Sequence, residues 1–394
     1  MLMAGLAAQI PVVAASHRLT TTLRVPSNNA TMTITIHIED VAEPEVVLPE
    51  QLGFGRHFTT RMFTQRYDVA RGWHDARIGA YQPITLDPAA TVFHNGQMIF
   101  DGTKAYRRPD GHINLFRPEC NAERFNASAQ RMGMPTVDPD FHIHAIETLV
   151  GLDHRWVPGR CGTALYIRPV MIASERTLEV RAGREYLHYI ILSPVAPYFA
   201  AGFAPVSVYV SGDYVRAVRG GTGEAKTPGN YAGSIAATEV ALAKGYQQVL
   251  WLDGVERRYV DEVGAMNIAF VYDGREIITP ALSGAILHGV TRRSLLELAP
   301  DLGFAVSERR IAIDEVLAGL ASGRISEIFG MGTGAVIAPV GRLHYQNREV
   351  VIKDGQPGPV ARLLHRELTG LQCGRRPDPY GWTRTVAAPT TDDV

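Results

Sequence analysis

The sequence predicts an α/β protein of the α+β kind built as two domains, and three observations carry that expectation. The chain runs to 394 residues, more than a single hydrophobic core comfortably serves. From Phe58 onward, short β-branched runs split by turn residues alternate with two helix-like stretches. A Pro- and Gly-rich stretch at 194–205 then separates them from a second half that mixes strands and helices again. No internal period appears, which sets repeat architectures aside.

Residues 1–45 read as a poorly ordered tail. The first thirty or so hold no acid and only Arg18 and Arg24 as firm positive charges, a faint match to a transit peptide. A secretory signal is disfavoured, since no basic residue precedes the apolar stretch 1–15. The small α+β domain is expected over 46–195. Within it, Arg108-Pro109-Asp110-Gly111 separates strand-like runs at 98–107 and 112–116 as a hairpin turn does. Helices are expected at about 121–132 and 141–152, the second capped by Asp138. Strands at 164–171 and 186–192 close the unit, and 196–205 is the linker. The large domain, 206–394, reads as strands at 206–210, 248–252 and 267–271 with helices starting near Asn230, Thr291 and Asp314. Gly245 and Gly323 stand where helices should end.

Composition excludes several functions. With 46% hydrophobic and 20% charged residues the chain is globular rather than disordered. A net charge of -1 provides no basic field for nucleic acid or an anionic membrane, so small molecules are the expected partners. The stretch 186–212 lacks Asp, Glu, Lys and Arg and is long enough to span a bilayer. Pro194, Pro197 and Pro205 interrupt it, so it reads as two buried strands and a loop, with no transmembrane helix. Cys120, Cys161 and Cys373 lie far apart, without zinc or CxxC spacing, as suits a reducing, cytoplasmic compartment.

Glycines cluster at strand-to-helix junctions: Gly220-Gly221-Thr222-Gly223, Gly289-Val290-Thr291 and Gly330-Met331-Gly332-Thr333-Gly334. Such junctions expose backbone N–H groups that bind anions. Lys226 follows the first cluster. A P-loop would need Gly where Ala225 stands and a helix where Pro228-Gly229 follows. The other readings are a Schiff-base lysine, whose partly desolvated amine attacks an aldehyde, and a solvated loop lysine. Asp261-Glu262 precedes an apolar strand and could point inward, where a fixed carboxylate keeps a pyridine nitrogen protonated. An ion pair with Arg257 or Arg258 is the plainer alternative. Thr291, Thr333 and the N–H groups beside them suit a phosphate monoester, and Arg117 adds a forked cation.

Taken in order, several segments resemble one family. They are Phe100-Asp101-Gly102-Thr103-Lys104-Ala105-Tyr106-Arg107, Phe116-Arg117-Pro118, Tyr166-Ile167-Arg168-Pro169-Val170, the Lys226 loop, 248–254, Glu262-Val263-Gly264 and Gly289-Val290-Thr291-Arg292. The chain resembles the branched-chain amino-acid aminotransferases, in the class IV, fold-type IV group of pyridoxal-phosphate enzymes, over about 58–382. The resemblance implies Lys226 as the Schiff-base lysine and the base that moves a proton between substrate Cα and the cofactor C4′. It implies Tyr231 on the ring 3-oxygen and Glu262 on the ring nitrogen. Arg117, Val290, Thr291 and Thr333 would hold the phosphate, and backbone N–H groups at Ala265 and Gly334 the substrate α-carboxylate. Phe58, Phe100, Tyr166 and Tyr198 would line the side-chain pocket, with Arg168 taking the distal carboxylate of glutamate or 2-oxoglutarate. A homodimer with pockets near the subunit interface is also implied.

Three departures from the family pattern stand out. His94-Asn95-Gly96 replaces His-Tyr-Gly, putting Asn95 where the family has a pocket phenol; Ala265 replaces Thr; and Ala335 and Ala338 occupy the places of a redox CxxC found in some animal members. The function implied is transamination of branched-chain L-amino acids with 2-oxoglutarate. The alternatives are a relative acting on D-amino acids, primary amines or a specialised biosynthetic amino acid, a lyase of the same fold, or a catalytically silent cofactor carrier.

Overall fold

A computed structural model describes residues 19–27, 30–42 and 45–387. Two large sheets organise them. The first has ten strands, in the order Leu19–Ser27, Ala30–Ile38, Gly72–Ala80, Arg61–Asp68, Glu185–Val195, Ala164–Ala173, Thr103–Arg107, Ile113–Phe116 and Thr383–Val386, with Met98–Phe100 also paired to Ala164–Ala173. Helices Pro118–Arg131 and Pro139–Leu152 bury Phe125, Phe141, Ile146 and Leu149 against Phe63, Leu165 and Ile190 of that sheet. Asp138 caps the second helix, its carboxylate accepting from the Phe141 N–H at 2.8 Å.

The second sheet has nine strands, in the order Val260–Val263, Gln248–Leu252, Val206–Val210, Val336–Tyr345, Ile325–Gly332, Asn267–Tyr272, Glu276–Thr279 and Ala305–Glu308, with Arg348–Val351 beside Val336–Tyr345. Val206–Val210 runs parallel to both neighbours. Helices Pro228–Ala232, Ile235–Ala243, Val290–Asp301, Ile313–Ala321 and Pro359–Gln372 accompany it. Gly245 and Gly323, at φ 82° and 75°, follow helix ends in the left-handed region that glycine tolerates best. Among the described residues no helix is long and apolar enough to cross a membrane.

Several expectations are corrected. Within the supposed tail, Leu19–Ser27 and Ala30–Ile38 pair antiparallel, and the second joins Gly72–Ala80 in parallel. The reason is a period-2 alternation, Thr31, Thr33, Thr35 and His37 against Met32, Ile34, Ile36 and Ile38, which marks a half-buried strand. Ile36 is fully buried and Leu23 packs on the first core. The transit-peptide stretch before residue 19 lies outside the described residues. The large domain does not keep its C-terminal end: Thr383–Val386 pairs with Ile113–Phe116 in the first sheet. The run 98–107 is two strands, interrupted at Asp101-Gly102. Pro228 does not prevent a helix after Lys226; it opens one, since a first-turn proline lacks only an N–H that has no partner anyway.

Candidate functional site

Between the sheets lies a cavity of about 390 Å3 that Lys226, Tyr231, Glu262, Ala265, Val290, Thr291, Thr333 and Gly334 line together with Phe100, Tyr166, Arg168 and Tyr198. Its elements meet through Lys226. The loop before it is held by Asn230, whose amide donates to the carbonyls of Thr222 and Ala225, each at 2.8 Å. The first sheet and its helix then fix the lysine itself. The Lys226 N–H donates to Ser128 Oγ at 2.9 Å, and its carbonyl accepts from the Phe100 N–H at 3.0 Å. The amine Nζ stands 2.9 Å from Tyr231 Oη and 5.2 Å from the centre of the Phe100 ring.

Glu262 sits at the base, 2% exposed. One carboxylate oxygen accepts from the Leu287 N–H at 2.8 Å and from Asn267 Nδ2 at 3.2 Å; the other faces Arg216 Nε at 2.8 Å. Burial pushes this carboxyl above its ordinary range, and the Arg216 guanidinium pulls in the opposite direction. Glu262 thus pairs with Arg216 rather than with Arg257 or Arg258, the plainer alternative, and Arg216 is itself anchored on the carbonyls of Ala285 and Gly223.

At the other end of the cavity, Val290 and Thr291 open helix Val290–Asp301, where first-turn N–H groups have no helical acceptor. Thr333 approaches from the turn after Ile325–Gly332. The arginine lining this end is Arg124. Its guanidinium forks onto Asp101 at 2.7 and 2.9 Å and reaches the His288 carbonyl at 3.3 Å. Burial pushes the Asp101 carboxyl up, but Arg124 more than offsets it and holds the group below its usual range.

Arg117, expected here, lies outside the cavity: it forks onto Glu297 at 3.0 Å, donates to Ser294 Oγ and lies 4.7 Å over the Trp382 ring. Phe58 is also outside, stacked on Tyr81 at 5.4 Å; Phe54 takes the wall position, 5.0 Å from Tyr166 and 5.1 Å from Tyr198. Asn95 ends a short surface helix and donates to the Glu179 carbonyl. The first glycine cluster is no anion cradle, since Arg131 donates to the carbonyls of Gly220 and Gly221. A Cβ at Gly223 would fall 2.3 Å from the Ala285 carbonyl oxygen, so close packing is what requires glycine there. A larger cavity, about 680 Å3, lies beyond Arg124. Glu123, Glu224, Glu297 and Glu308 line it alongside Arg124, Arg131, Arg292 and Arg293.

On the aromatic side the Arg168 guanidinium lies 4.7 Å over Phe100 and 5.3 Å over Tyr166, and donates to Tyr166 Oη at 3.2 Å. Its Nε is buried without a partner, and no carboxylate pairs with it among the described residues. Gly102 makes room for this wall, because a Cβ there would fall 1.9 Å from Tyr166 Oη.

The profile of the amino-transferase class IV family matches residues 98–343, well over half of the chain. The chain belongs to the class IV aminotransferase family. Among class IV relatives, it is 48% identical to branched-chain-amino-acid aminotransferase 2 of Bacillus subtilis, over 91% of this chain and 98% of that protein. Branched-chain-amino-acid transaminase 1 of the same organism is 50% identical, over 86% of this chain and 95% of its own. The fold is that of the Escherichia coli branched-chain amino acid aminotransferase, with a TM-score of 0.70 at 23% identity over 84% of this chain and 100% of the other. The T.th. branched-chain amino acid aminotransferase, solved with N-(5'-phosphopyridoxyl)-L-glutamate, aligns with a TM-score of 0.67 at 25% identity, over 84% of this chain and 99% of its own. The protein is thus a class IV transaminase by descent.

Proposed function

We propose that this chain transfers the amino group of branched-chain L-amino acids to 2-oxoglutarate, with pyridoxal phosphate held in the cavity around Lys226. The single observation that carries the substrate reading is the Arg168 cation, set into an aromatic wall without a carboxylate partner. An apolar leucine, isoleucine or valine side chain packs on Phe54, Phe100 and Tyr166 in one half-reaction. A γ-carboxylate finds the spare Arg168 donors in the other. The named activities of the Bacillus relatives point to the same substrates.

The residues fit the cofactor. Lys226 places an amine beside a phenol, Glu262 offers a buried carboxylate, and Arg124 with the first turn of helix Val290–Asp301 makes an anion site. When bound, pyridoxal phosphate supplies a conjugated ring that accepts the electron pair released at substrate Cα. Tyr231 donates toward the ring oxygen and holds Lys226 in reach of the substrate proton. With the cofactor bound, the Lys226 amine would be the base that moves the proton from substrate Cα to the cofactor C4′. Glu262, paired with Arg216, would hold the proton on the ring nitrogen. Asn267 and the Leu287 N–H fix the carboxylate so that it does not rotate away. Val290, Thr291 and Thr333 would join Arg124 on the phosphate, and the N–H groups at Ala265 and Gly334 would meet the α-carboxylate. A homodimer belongs to the same reading, and light scattering of the pure protein tests it.

The deciding experiment traps the lysine. Borohydride reduction of the wild-type protein loaded with pyridoxal phosphate should leave an adduct on the peptide containing Lys226, and Lys226→Ala should lose both adduct and transamination. Turnover retained by Lys226→Ala rejects the mechanism. For Arg168→Ala, kcat/KM for glutamate should fall by about tenfold or more, the size of a lost hydrogen bond to a charged group, while leucine is less affected. Equal losses would make Arg168 structural.

A further inference from the structure

Lys104 is a buried ammonium, 5% exposed, that forms no ion pair among the described residues. Burying such a charge without an acid is costly, so a role that requires it is worth seeking. Its Nζ donates to the Gly334 carbonyl at 2.7 Å, reaching from strand Thr103–Arg107 of the first sheet to the turn that follows Ile325–Gly332 of the second. Lys104 stands directly opposite Tyr166 in its own sheet, so the two side chains rise from the same face.

The turn is a thin wall. Gly334 and Ala335 line the cavity around Lys226 on one side, and on the other a cavity of about 490 Å3 that contains Lys104. The Tyr198 ring closes on Gly334, where a Cβ would fall 2.9 Å from Cδ2. No peptide in the described chain is cis. In a trans peptide the C=O and N–H point in opposite directions. Drawing the Gly334 carbonyl back onto Lys104 therefore turns the Ala335 N–H the other way, toward the cavity around Lys226. A charged donor on the carbonyl also polarises the amide and strengthens that N–H.

We propose that Lys104 is a positioning residue for substrate carboxylate recognition: from behind the turn its ammonium fixes the Gly334–Ala335 peptide so that the amide faces the substrate cavity. This rests on the transaminase reading above. It assigns a residue outside the cavity to an interaction made inside it. Burial pulls the Lys104 ammonium down to about 8, the nearby Cys373 thiol acting against that shift, so most molecules still carry the charge at neutral pH.

The test uses holoenzyme and 4-methylpentanoate, a branched carboxylate without an amine, with Kd read from the cofactor absorbance. In Lys104→Met, Kd should rise by about tenfold or more, the expected loss when a polarised donor is misplaced. Cofactor content and thermal midpoint should stay near wild type, and Lys104→Gln, which keeps a shorter donor, should fall between. An unchanged Kd in Lys104→Met overturns the inference, as does a lowered thermal midpoint with unchanged Kd, which marks a purely structural lysine. If Lys104→Met fails to fold, Lys104→Gln carries the same comparison. Wild-type protein that takes up no cofactor sinks the transaminase reading before Lys104 is reached.

Discussion

Arg117 and Arg124 show how a cation's helical phase decides its work. Arg117 is the left-handed cap of helix Pro118–Arg131, at φ 48°, and its guanidinium is spent on Glu297, Ser294 and Trp382. Arg124 sits inside the buried stripe of the same helix, in phase with Asn121, Phe125 and Ser128. That was the legible signal, because a charge on an apolar helix face must have a buried partner. The Phe116-Arg117-Pro118 motif points to Arg117 instead. Arg117→Gln should therefore cost about 1–3 kcal/mol in denaturant unfolding, the usual range for losing a hydrogen-bonded charge, without changing cofactor Kd. Arg124→Gln should weaken cofactor binding in a fluorescence titration and also destabilise the fold, since Asp101 would be left charged and buried. Equal cofactor affinity in the two variants would contradict the assignment. Arg216 gave no comparable signal: nothing in its local sequence says that a distant glutamate will be its partner.

At the scale of elements, the runs that pack into cores were legible to within a few residues. The strands at 206–210 and 248–252 match their expected bounds, and both early helices begin two or three residues sooner than expected because Pro118 and Pro139 occupy first-turn positions. The alternation at 30–38 is as clear as any of these, yet an acid-free beginning outweighed it. Removal of residues 1–38 tests its worth. The truncated protein should lose the burial of Ile36, worth about 1.5–3 kcal/mol, and melt at a lower temperature. Its turnover should survive, since none of the deleted residues that the structure describes lines the Lys226 cavity. Asn95 and Phe58 were placed in the pocket by resemblance of short motifs, and motif identity does not say on which side of the sheet a side chain emerges.

For the whole molecule, acid is the informative stress. His142 and His188 stack at 5.2 Å between Phe125 and Phe63, with no hydrogen-bond partner for any ring nitrogen. Burial pulls His142 down to about 4 and His188 well below its ordinary value. In the unfolded chain both titrate near ~6.5. As the pH falls through that value the unfolded chain takes up protons that the fold refuses, so stability drops from there toward the folded values. Asp261 acts in the opposite sense, burial and Glu262 pushing it up to about 7, so the useful quantity is a difference between proteins. His142→Leu should lose less thermal midpoint than wild type between about pH 7 and pH 5. Parallel curves would refute the account.

The pairing of Thr383–Val386 with Ile113–Phe116 also bears on how the chain is made. A ribosome releases the centre of the first sheet early, but the edge beside Ile113–Phe116 stays open until Thr383–Val386 has been made. Throughout synthesis of the intervening residues that row of backbone groups is a template for the wrong strand, on this chain or another. Stop codons placed shortly before residue 383 should therefore produce aggregates rather than active enzyme.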